Sequence, residues 1–204
     1  MLGQHGRGLT SAVFTPLARA LVRRGVSPDA VTITGTIVAS LAALTLIGTG
    51  RLVAGSLVVG IVVFTDSVDG LMARLSGSSS PWGAFLDSTL DRVSDAALFS
   101  SFVLYYAARE GQVAVWGMYA ALAAAVLGGI VPYARARAEA SGYAAAVGIA
   151  ERSDRLLISL IAALLTGLGL GQWILAAALT YLALAAAVTV GQRIHVVHRQ
   201  AEGR

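Results

Sequence analysis

The sequence has 204 residues, of which 56% are hydrophobic and 13% charged, and its mean hydropathy is +0.74. These values exclude an ordinary soluble globule and are typical of a protein that crosses a membrane several times. Without cysteine, disulfides and thiolate metal sites are excluded. All 15 basic residues are arginines, and they are scattered between apolar segments. The net positive charge therefore indicates contact with a membrane surface and no nucleic-acid partner.

The first 25 residues predict an amphipathic helix at the membrane interface. Leucine and valine recur every four positions, at Leu9, Val13, Leu17 and Leu21, while the arginines of this stretch take other faces. The segment from Gly25 to Pro28 then predicts the end of the helix.

Six apolar segments follow, and each can cross a bilayer, although the fifth is short. A hydrocarbon core of about 30 Å needs roughly 20 helical residues at a rise of about 1.5 Å. The sequence therefore predicts an all-α membrane protein with six transmembrane helices in residues 30–194. With the interfacial helix of 1–25 and a cytoplasmic tail at 195–204, we expect a single domain over 1–204. The segments are 30–49, 52–75, 83–108, 112–138, 155–170 and 173–194.

The placement of arginine orients this bundle. Six crossings put both termini on one side, and only Arg51 and Arg109 fall in loops on the opposite face. Because cytoplasmic loops are enriched in basic residues, the arginine-rich face is predicted to be cytoplasmic. We therefore expect a multi-pass protein of the cell inner (cytoplasmic) membrane with both termini in the cytoplasm.

Residues 65–95 concentrate charge in an otherwise apolar chain, with five of the eleven carboxylates. Asp66 and Asp69 are three residues apart. Asp87 and Asp91 are four residues apart, so on helices each pair projects from one face. A glycine, three serines and a proline separate the pairs and predict the turn of a helical hairpin.

The four paired carboxylates predict a site for hard divalent cations. A carboxylate deep in a bilayer costs about 2.5 to 3.5 kcal/mol on insertion scales, so this cluster needs compensation. Oxygen ligands favour Mg²⁺, Mn²⁺ or Ca²⁺ over zinc, and two such ions suit phosphoryl transfer. Ion pairs with Arg74 and Arg92 are the structural alternative, but two guanidinium groups cannot neutralise five carboxylates. A proton or cation pathway stays open as a second functional interpretation.

The hairpin resembles the complete signature of the CDP-alcohol phosphotransferase family. Members of that family have six helices with a cytoplasmic amphipathic leader, and they transfer a phosphatidyl or related group from a CDP-linked donor to an alcohol, releasing CMP. The resemblance implies the same fold and chemistry here, together with a homodimer. The matching residues are Asp66-x2-Asp69-Gly70-x2-Ala73-Arg74-x8-Gly83-x3-Asp87-x3-Asp91.

The same resemblance implies roles for individual residues. The four signature aspartates would coordinate two divalent cations, Mg²⁺ or alternatively Mn²⁺, and Asp91 would also be the general base. The CDP moiety would lie along the hairpin, with Arg74 on the pyrophosphate, and a stretch at the start of the first crossing would close over the nucleotide. The implied contacts to the CDP-lipid are Asp29, Ala30, Val31, Thr32, Gly70, Ala73, Arg74, Ser80 and Gly83.

Arginines at later helix ends indicate the acceptor. Arg135 ends the fourth crossing, Arg155 opens the fifth and Arg193 ends the sixth, so the three could bind one phosphate group. Anchoring of helix ends by the positive-inside rule is the alternative explanation. The segments around Arg135 and Arg155 resemble the actinobacterial phosphatidylinositol phosphate synthases within this family. The expected substrates are therefore CDP-diacylglycerol and inositol 1-phosphate.

Three alternatives stay open at this point. A phosphatidylglycerophosphate synthase would perform the same chemistry on glycerol 3-phosphate. A proton- or cation-coupled carrier would also bury aspartates, but it gives no reason for the glycines and arginine of the signature. A structural membrane subunit would tolerate alanine at the aspartates. Outside the signature, Asp95 is predicted to support a ligand or form an ion pair, and His195 and His198 to be a solvated interfacial pair.

Overall fold

The computed structural model describes residues 14–65, 67–78, 80–149 and 151–203. Asp66, together with Leu9 and Val13 of the predicted interfacial helix, therefore lies outside the described residues. Within these ranges the chain is helical, with no β-strand, which confirms the all-α class. The helices are α1 (residues 14–23), α2 (Pro28–Ala42), α3 (Leu52–Thr65), α4 (Ser67–Ser76), α5 (Pro81–Ala107), α6 (Gln112–Ala140), α7 (Arg152–Leu165) and α8 (Trp173–Glu202). π-Helical turns extend α2 over Ala43–Ile47 and α7 over Thr166–Leu170.

Several of these helices are suited to a bilayer. Among the described residues, five helical stretches are long and apolar enough to cross a membrane. They are Pro28–Ile47, Leu52–Ser76, Gln112–Ala140, Arg152–Leu170 and Trp173–Glu202. These stretches support a multi-pass membrane protein. The 27-residue helix α5 is long enough, but its first half carries the charged residues of the hairpin, so the sixth crossing stays a prediction.

Serine caps set the starts of α2 and α5, and in each case a proline follows the cap. The hydroxyl oxygen of Ser27 accepts a hydrogen bond from the backbone N–H of Ala30 at 3.2 Å. The hydroxyl oxygen of Ser80 accepts one from the N–H of Gly83 at 3.0 Å. The local sequence thus determines where the two helices begin.

Close helix approach in the bundle depends on small residues. Tyr106 of α5 is 1% exposed, and its hydroxyl donates to the backbone carbonyl of Gln172 at 2.6 Å. A Cβ added at Gly117 of α6 would lie 2.4 Å from atoms of the Tyr106 ring. Only glycine therefore lets α6 pack against α5 at this level.

Helix α1 packs on α4 through apolar side chains. Ala18 is completely buried against Val68 and Met72, whereas Leu17 is 45% exposed. Leu21 of the predicted apolar face contributes to this contact, while an orientation of Leu17 towards the membrane interface stays a prediction. The apolar residues of α1 that pack on this cluster are Phe14, Ala18, Leu21 and Val22.

Helix α8 continues to Glu202 and so includes most of the predicted tail at 195–204. Hydropathy marks where the apolar segment ends, but a helix with exposed polar side chains can extend into water. Both His195 and His198 are exposed on this extension, and His198 Nε2 lies 3.3 Å from Glu202 Oε1. This exposure is consistent with the predicted solvated pair.

Candidate active site

Helices α2, α4 and α5 line a cavity of about 250 Å³ that brings most of the signature together. The turn after α4 folds α5 back, so residues from both arms of the hairpin face the start of α2. Of the predicted metal ligands and CDP-lipid contacts that the structure describes, Ala30, Val31 and Asp91 do not line this cavity. The lining residues are Pro28, Asp29, Thr32, Asp69, Gly70, Ala73, Arg74, Ser78, Ser80, Gly83, Ala84 and Asp87.

Asp69 is a buried carboxylate, 8% exposed, in the wall of this cavity. The hydroxyl of Thr32 donates to Asp69 Oδ2, and the backbone N–H of Gly70 donates to Oδ1. The Thr32 contact gives a physical reason for a polar residue in the first crossing, because it joins α2 to α4 and compensates a buried charge.

A second contact ties the start of α2 to the start of α5. The indole N–H of Trp82 donates to Asp29 Oδ2 at 3.1 Å. Ser80 lines the same cavity, where its hydroxyl oxygen also caps α5. Sequence reasoning did not assign Trp82, although a tryptophan beside the helix cap was visible in the hairpin.

The two signature glycines of this cavity are not required by protein packing. Among the residues that the structure describes, a Cβ at Gly70 would meet no atom outside its own helix backbone within 4 Å. A Cβ at Gly83 would approach only Ser80 Oγ at 3.5 Å and Asp29 Oδ1 at 3.8 Å, which are ordinary contacts. The space beside these backbones belongs to the cavity, so a bound molecule can approach the helices closely.

The donors in the cavity suit a hard divalent cation. Asp69 and Asp87 contribute carboxylate oxygens to its wall, together with Asp29, and such oxygens are the ligands that Mg²⁺ and Mn²⁺ prefer. Within the residues that the structure describes, no three His, Asp or Glu side chains are grouped so that they could hold one ion. Asp66, the remaining predicted ligand, is outside those residues.

A second cavity, of about 420 Å³, lies between the C-terminal halves of α6 and α8, the start of α7 and helix α5. It contains all three predicted acceptor arginines and two further arginines, against one glutamate. Arg92 and Arg152 are the two that sequence reasoning did not assign to this place. The lining residues are Arg92, Val131, Pro132, Arg135, Ala146, Val147, Gly148, Glu151, Arg152, Arg155 and Arg193.

The three predicted arginines are held differently. Arg135 is on the exposed side and pairs with Glu139 of its own helix at 2.8 Å. Arg193 donates from Nε to the carbonyl of Val147 at 2.9 Å and from Nη1 to the carbonyl of Val131. These contacts fix Arg193 between α6 and the loop that precedes α7.

Arg155 is the most buried of the set, at 3% exposed. Its Nη1 donates to the carbonyl of Gly128 at 2.6 Å, and its Nη2 donates to Asp95 Oδ2 at 2.7 Å. A Cβ at Gly128 would lie 2.7 Å from Nη1, so glycine is needed to seat the guanidinium. The buried Nε has no hydrogen-bond partner within the described part of the chain.

The predicted ion-pair role of Asp95 is confirmed. Besides Arg155, its carboxylate contacts Arg152 Nε at 3.0 Å and Arg92 Nη1 at 3.8 Å. Arg152 also contacts Asp91 Oδ1 at 2.8 Å. Helix α5 therefore contributes residues to both cavities. Its carboxylates Asp91 and Asp95 form ion pairs with Arg152 and Arg155, which line the second cavity.

A family model described as CDP-alcohol phosphatidyltransferase matches residues 25–190. The chain belongs to this family. The predicted resemblance and the prediction of an enzyme are thereby confirmed. As a CDP-alcohol phosphatidyltransferase the chain is a membrane transferase of phospholipid synthesis, and the interpretations as a carrier or a structural subunit are set aside.

Relatives within the CDP-alcohol phosphatidyltransferases cover nearly the whole chain. The phosphatidylinositol phosphate synthase of Cutibacterium acnes is 46% identical over 206 residues, covering 98% of this chain and 99% of that protein. The synthase of Streptomyces avermitilis is 42% identical over 207 residues, covering 98% and 84%.

Solved structures of the Mycobacterium tuberculosis phosphatidylinositol phosphate synthase have the same fold. The crystal structure with CDP-DAG bound gives a TM-score of 0.84 at 39% identity and covers 91% of this chain and 94% of that chain. The structure in complex with manganese and citrate gives 0.83 at 39% identity, with 90% and 88% covered.

Proposed function

We propose that this chain transfers the phosphatidyl group of CDP-diacylglycerol to a hydroxyl of inositol 1-phosphate, giving phosphatidylinositol phosphate and CMP. The main observation in support of the proposal is that α5 lines two cavities. One has carboxylates in its wall, and the other is lined by five arginines. The names of the relatives and the CDP-DAG bound to the Mycobacterium tuberculosis enzyme support the same choice of donor and product.

CDP-diacylglycerol would bind in the first cavity. Arg74 offers a guanidinium fork to the pyrophosphate, and the glycines at 70 and 83 leave room for the nucleotide against the helix backbones. Asp29 and Thr32 are already fixed by contacts to Trp82 and Asp69, so this wall would be preorganised for the nucleotide.

The proposed ligands of two divalent cations are Asp66, Asp69, Asp87 and Asp91. Mg²⁺ is the expected metal, with Mn²⁺ as an alternative that the manganese complex of the Mycobacterium tuberculosis enzyme supports. When bound, such ions would supply Lewis-acid stabilisation of the pyrophosphate and of the leaving CMP.

Inositol 1-phosphate would bind in the second cavity. Five arginines and one glutamate line it. Four of these arginines also pair with Asp91, Asp95 or Glu139, but their guanidinium groups suit a phosphate-bearing acceptor better than a neutral alcohol. Arg135 and Arg193 are the proposed ligands of the phosphate. Arg155 adds buried positive charge, and its Nε is a donor without a partner among the described residues.

In the reaction, Asp91 would take the proton of the acceptor hydroxyl and keep it until it is released to water. The hydroxyl oxygen then forms a bond to the phosphorus that carries the diacylglycerol. The bond between this phosphorus and the oxygen that bridges to the second phosphate breaks, and CMP leaves with that oxygen. The arginines hold the acceptor phosphate still while the hydroxyl reacts.

We further propose that α5 is the sixth crossing and that 1–204 forms a single domain, with the site and both termini in the cytoplasm. The 27 residues of α5 would span about 40 Å at 1.5 Å per residue. Its charged first half is compensated by guanidinium groups of α5 and α7. The described part of α1 would lie along the interface of the cell inner membrane, and a homodimer is expected. Native mass spectrometry in nanodiscs tests the dimer.

An acceptor comparison tests the proposed reaction. Purified protein in nanodiscs receives CDP-diacylglycerol, Mg²⁺ and one labelled acceptor, which is inositol 1-phosphate, glycerol 3-phosphate or free inositol. We expect CMP release and a labelled lipid with inositol 1-phosphate. Preferential use of glycerol 3-phosphate would replace the proposed acceptor, and the absence of CMP with every acceptor would reject the proposed function.

A further inference from the structure

Arg152, the first residue of α7, bridges three side chains of α5. Its Nη1 lies 2.8 Å from Asp91 Oδ1, and its Nε lies 3.0 Å from Asp95 Oδ1. Its Nη2 donates to the hydroxyl of Ser94 at 3.3 Å. All three nitrogen atoms of this guanidinium are therefore directed to the second arm of the hairpin.

Asp95, the second carboxylate that Arg152 contacts, is also held by a second arginine of α7. Asp95 is 7% exposed and receives Arg155 on its other carboxylate oxygen at 2.7 Å. Arg155 in turn is fixed to the carbonyl of Gly128 on α6. A continuous chain of charge-assisted hydrogen bonds thus runs from α6 through α7 to Asp91, and such bonds hold side chains in defined geometry.

We infer that Arg152 is a positioning residue that orients the Asp91 carboxylate at the boundary of the arginine cavity. This inference rests on the proposed function, in which Asp91 accepts the proton of the acceptor hydroxyl. A carboxylate on a helix can rotate about two side-chain bonds, and one bond from Arg152 to Oδ1 restricts that rotation. Proton transfer needs this precision because the base must lie within hydrogen-bond reach of the hydroxyl.

The contacts distinguish Arg152 from Arg135, another arginine of the same cavity. Arg135 pairs within its own helix and its side chain is 52% exposed, so it can turn towards a bound phosphate. Arg152 is engaged with two carboxylates and a hydroxyl of a different helix, and its side chain is 24% exposed. Its loss should therefore impair the chemical step rather than the capture of the acceptor.

Steady-state kinetics separates these two effects. For Arg152→Gln we expect kcat to fall by about 10- to 100-fold, as for residues that orient catalytic ligands, with little change in the KM for inositol 1-phosphate. Arg135→Gln is the matched change in the same cavity and should instead raise this KM. Arg137→Gln, exposed on α6 and outside both cavities, should behave as the wild type. A raised KM with kcat recovered at saturating acceptor would overturn the inference.

Arg152→Lys tests whether geometry or charge matters. Lysine keeps the positive charge but has a single ammonium group, which cannot reproduce the planar fork between two carboxylates. We therefore expect only partial recovery of kcat relative to Arg152→Gln. Full recovery would mean that cavity charge alone is needed, and it would contradict a positioning role.

A double-mutant cycle tests the Arg152–Asp91 pairing without turnover. Arg152→Gln, Asp91→Asn and their combination are compared by thermal unfolding of the full chain. If the two side chains interact, the loss in unfolding temperature of the double variant should be smaller than the sum of the two single losses. A double loss equal to that sum would overturn the inference.

The cycle also separates this inference from the proposed function. If the wild type fails to release CMP with any acceptor, the proposed function fails, and the cycle still decides whether Arg152 and Asp91 are paired. If the wild type uses glycerol 3-phosphate, the same loss of kcat in Arg152→Gln is expected with that acceptor, and an unchanged kcat would overturn the inference.

Discussion

Gly70→Ala should stabilise the fold and weaken donor binding at the same time. Gly70 lies within α4, where alanine is favoured over glycine by about 0.5 to 1 kcal/mol. Within the described residues, and apart from the backbone of its own helix, an added Cβ would meet no atom within 4 Å, so no clash seen there opposes this gain. For a protein of this size, the gain corresponds to a rise in unfolding temperature of about 1 to 4 °C.

The same methyl group would enter the space proposed for the nucleotide. Overpacking a close contact costs about 1 to 3 kcal/mol, which converts to a loss of about 5- to 150-fold in affinity for CDP-diacylglycerol. The measurements are thermal unfolding in detergent and binding of CDP-diacylglycerol by isothermal titration calorimetry. Stability and affinity should therefore change in opposite directions.

Gly60→Ala is the matched control. Gly60 lies in α3 and lines neither cavity. In the described part of the chain, a Cβ there would also meet no atom outside its own helix backbone within 4 Å. Its unfolding temperature should rise by a similar amount while CDP-diacylglycerol binding stays at the wild-type level. If Gly70→Ala binds the donor as well as Gly60→Ala does, the space beside Gly70 is not used by the ligand and the reasoning is refuted.

Further expectations follow from single contacts. Gly117→Ala should cost about 1 to 3 kcal/mol, because its Cβ would clash with the Tyr106 ring; an unchanged unfolding temperature would contradict this packing. Thr32→Val should cost about 1 to 3 kcal/mol by removing a donor to Asp69, whereas Thr32→Ser should retain it; equal unfolding temperatures for the two variants would argue against the bond. Chelation with EDTA should stop CMP release, and Mg²⁺ or Mn²⁺ should restore it; full turnover in EDTA would exclude the proposed metals.

The composition and the hairpin signature were sufficient for the fold class and the enzyme family. Hydropathy identifies apolar helices because a bilayer requires every backbone polar group to be satisfied within the helix. The spacing of Asp87 and Asp91 is likewise local, since a helix places positions four apart on one face. The same reasoning could not find the end of α8, because polar residues can continue a helix beyond the apolar segment.

Not all of the arginines that line the second cavity could be predicted from the sequence. Arg135, Arg155 and Arg193 were predicted from charge at helix ends, and the structure brings them to one cavity. Arg92 and Arg152 were not assigned to this cavity, although both are near the hairpin or the start of α7 in sequence. Their positions depend on how α5, α6 and α7 cross, and a helical period contains no information about a crossing angle.

By itself, the sequence determined an all-helical membrane chain, the carboxylate hairpin and the family, because these follow from local periodicity and from residues at fixed spacing. Only the tertiary structure decided that Arg152 and Arg155 share Asp95, and that Arg152 reaches Asp91. These ion pairs join residues about 60 positions apart in the chain. Which carboxylate meets which guanidinium is settled by the packing of three helices, and each helix taken alone is compatible with several pairings.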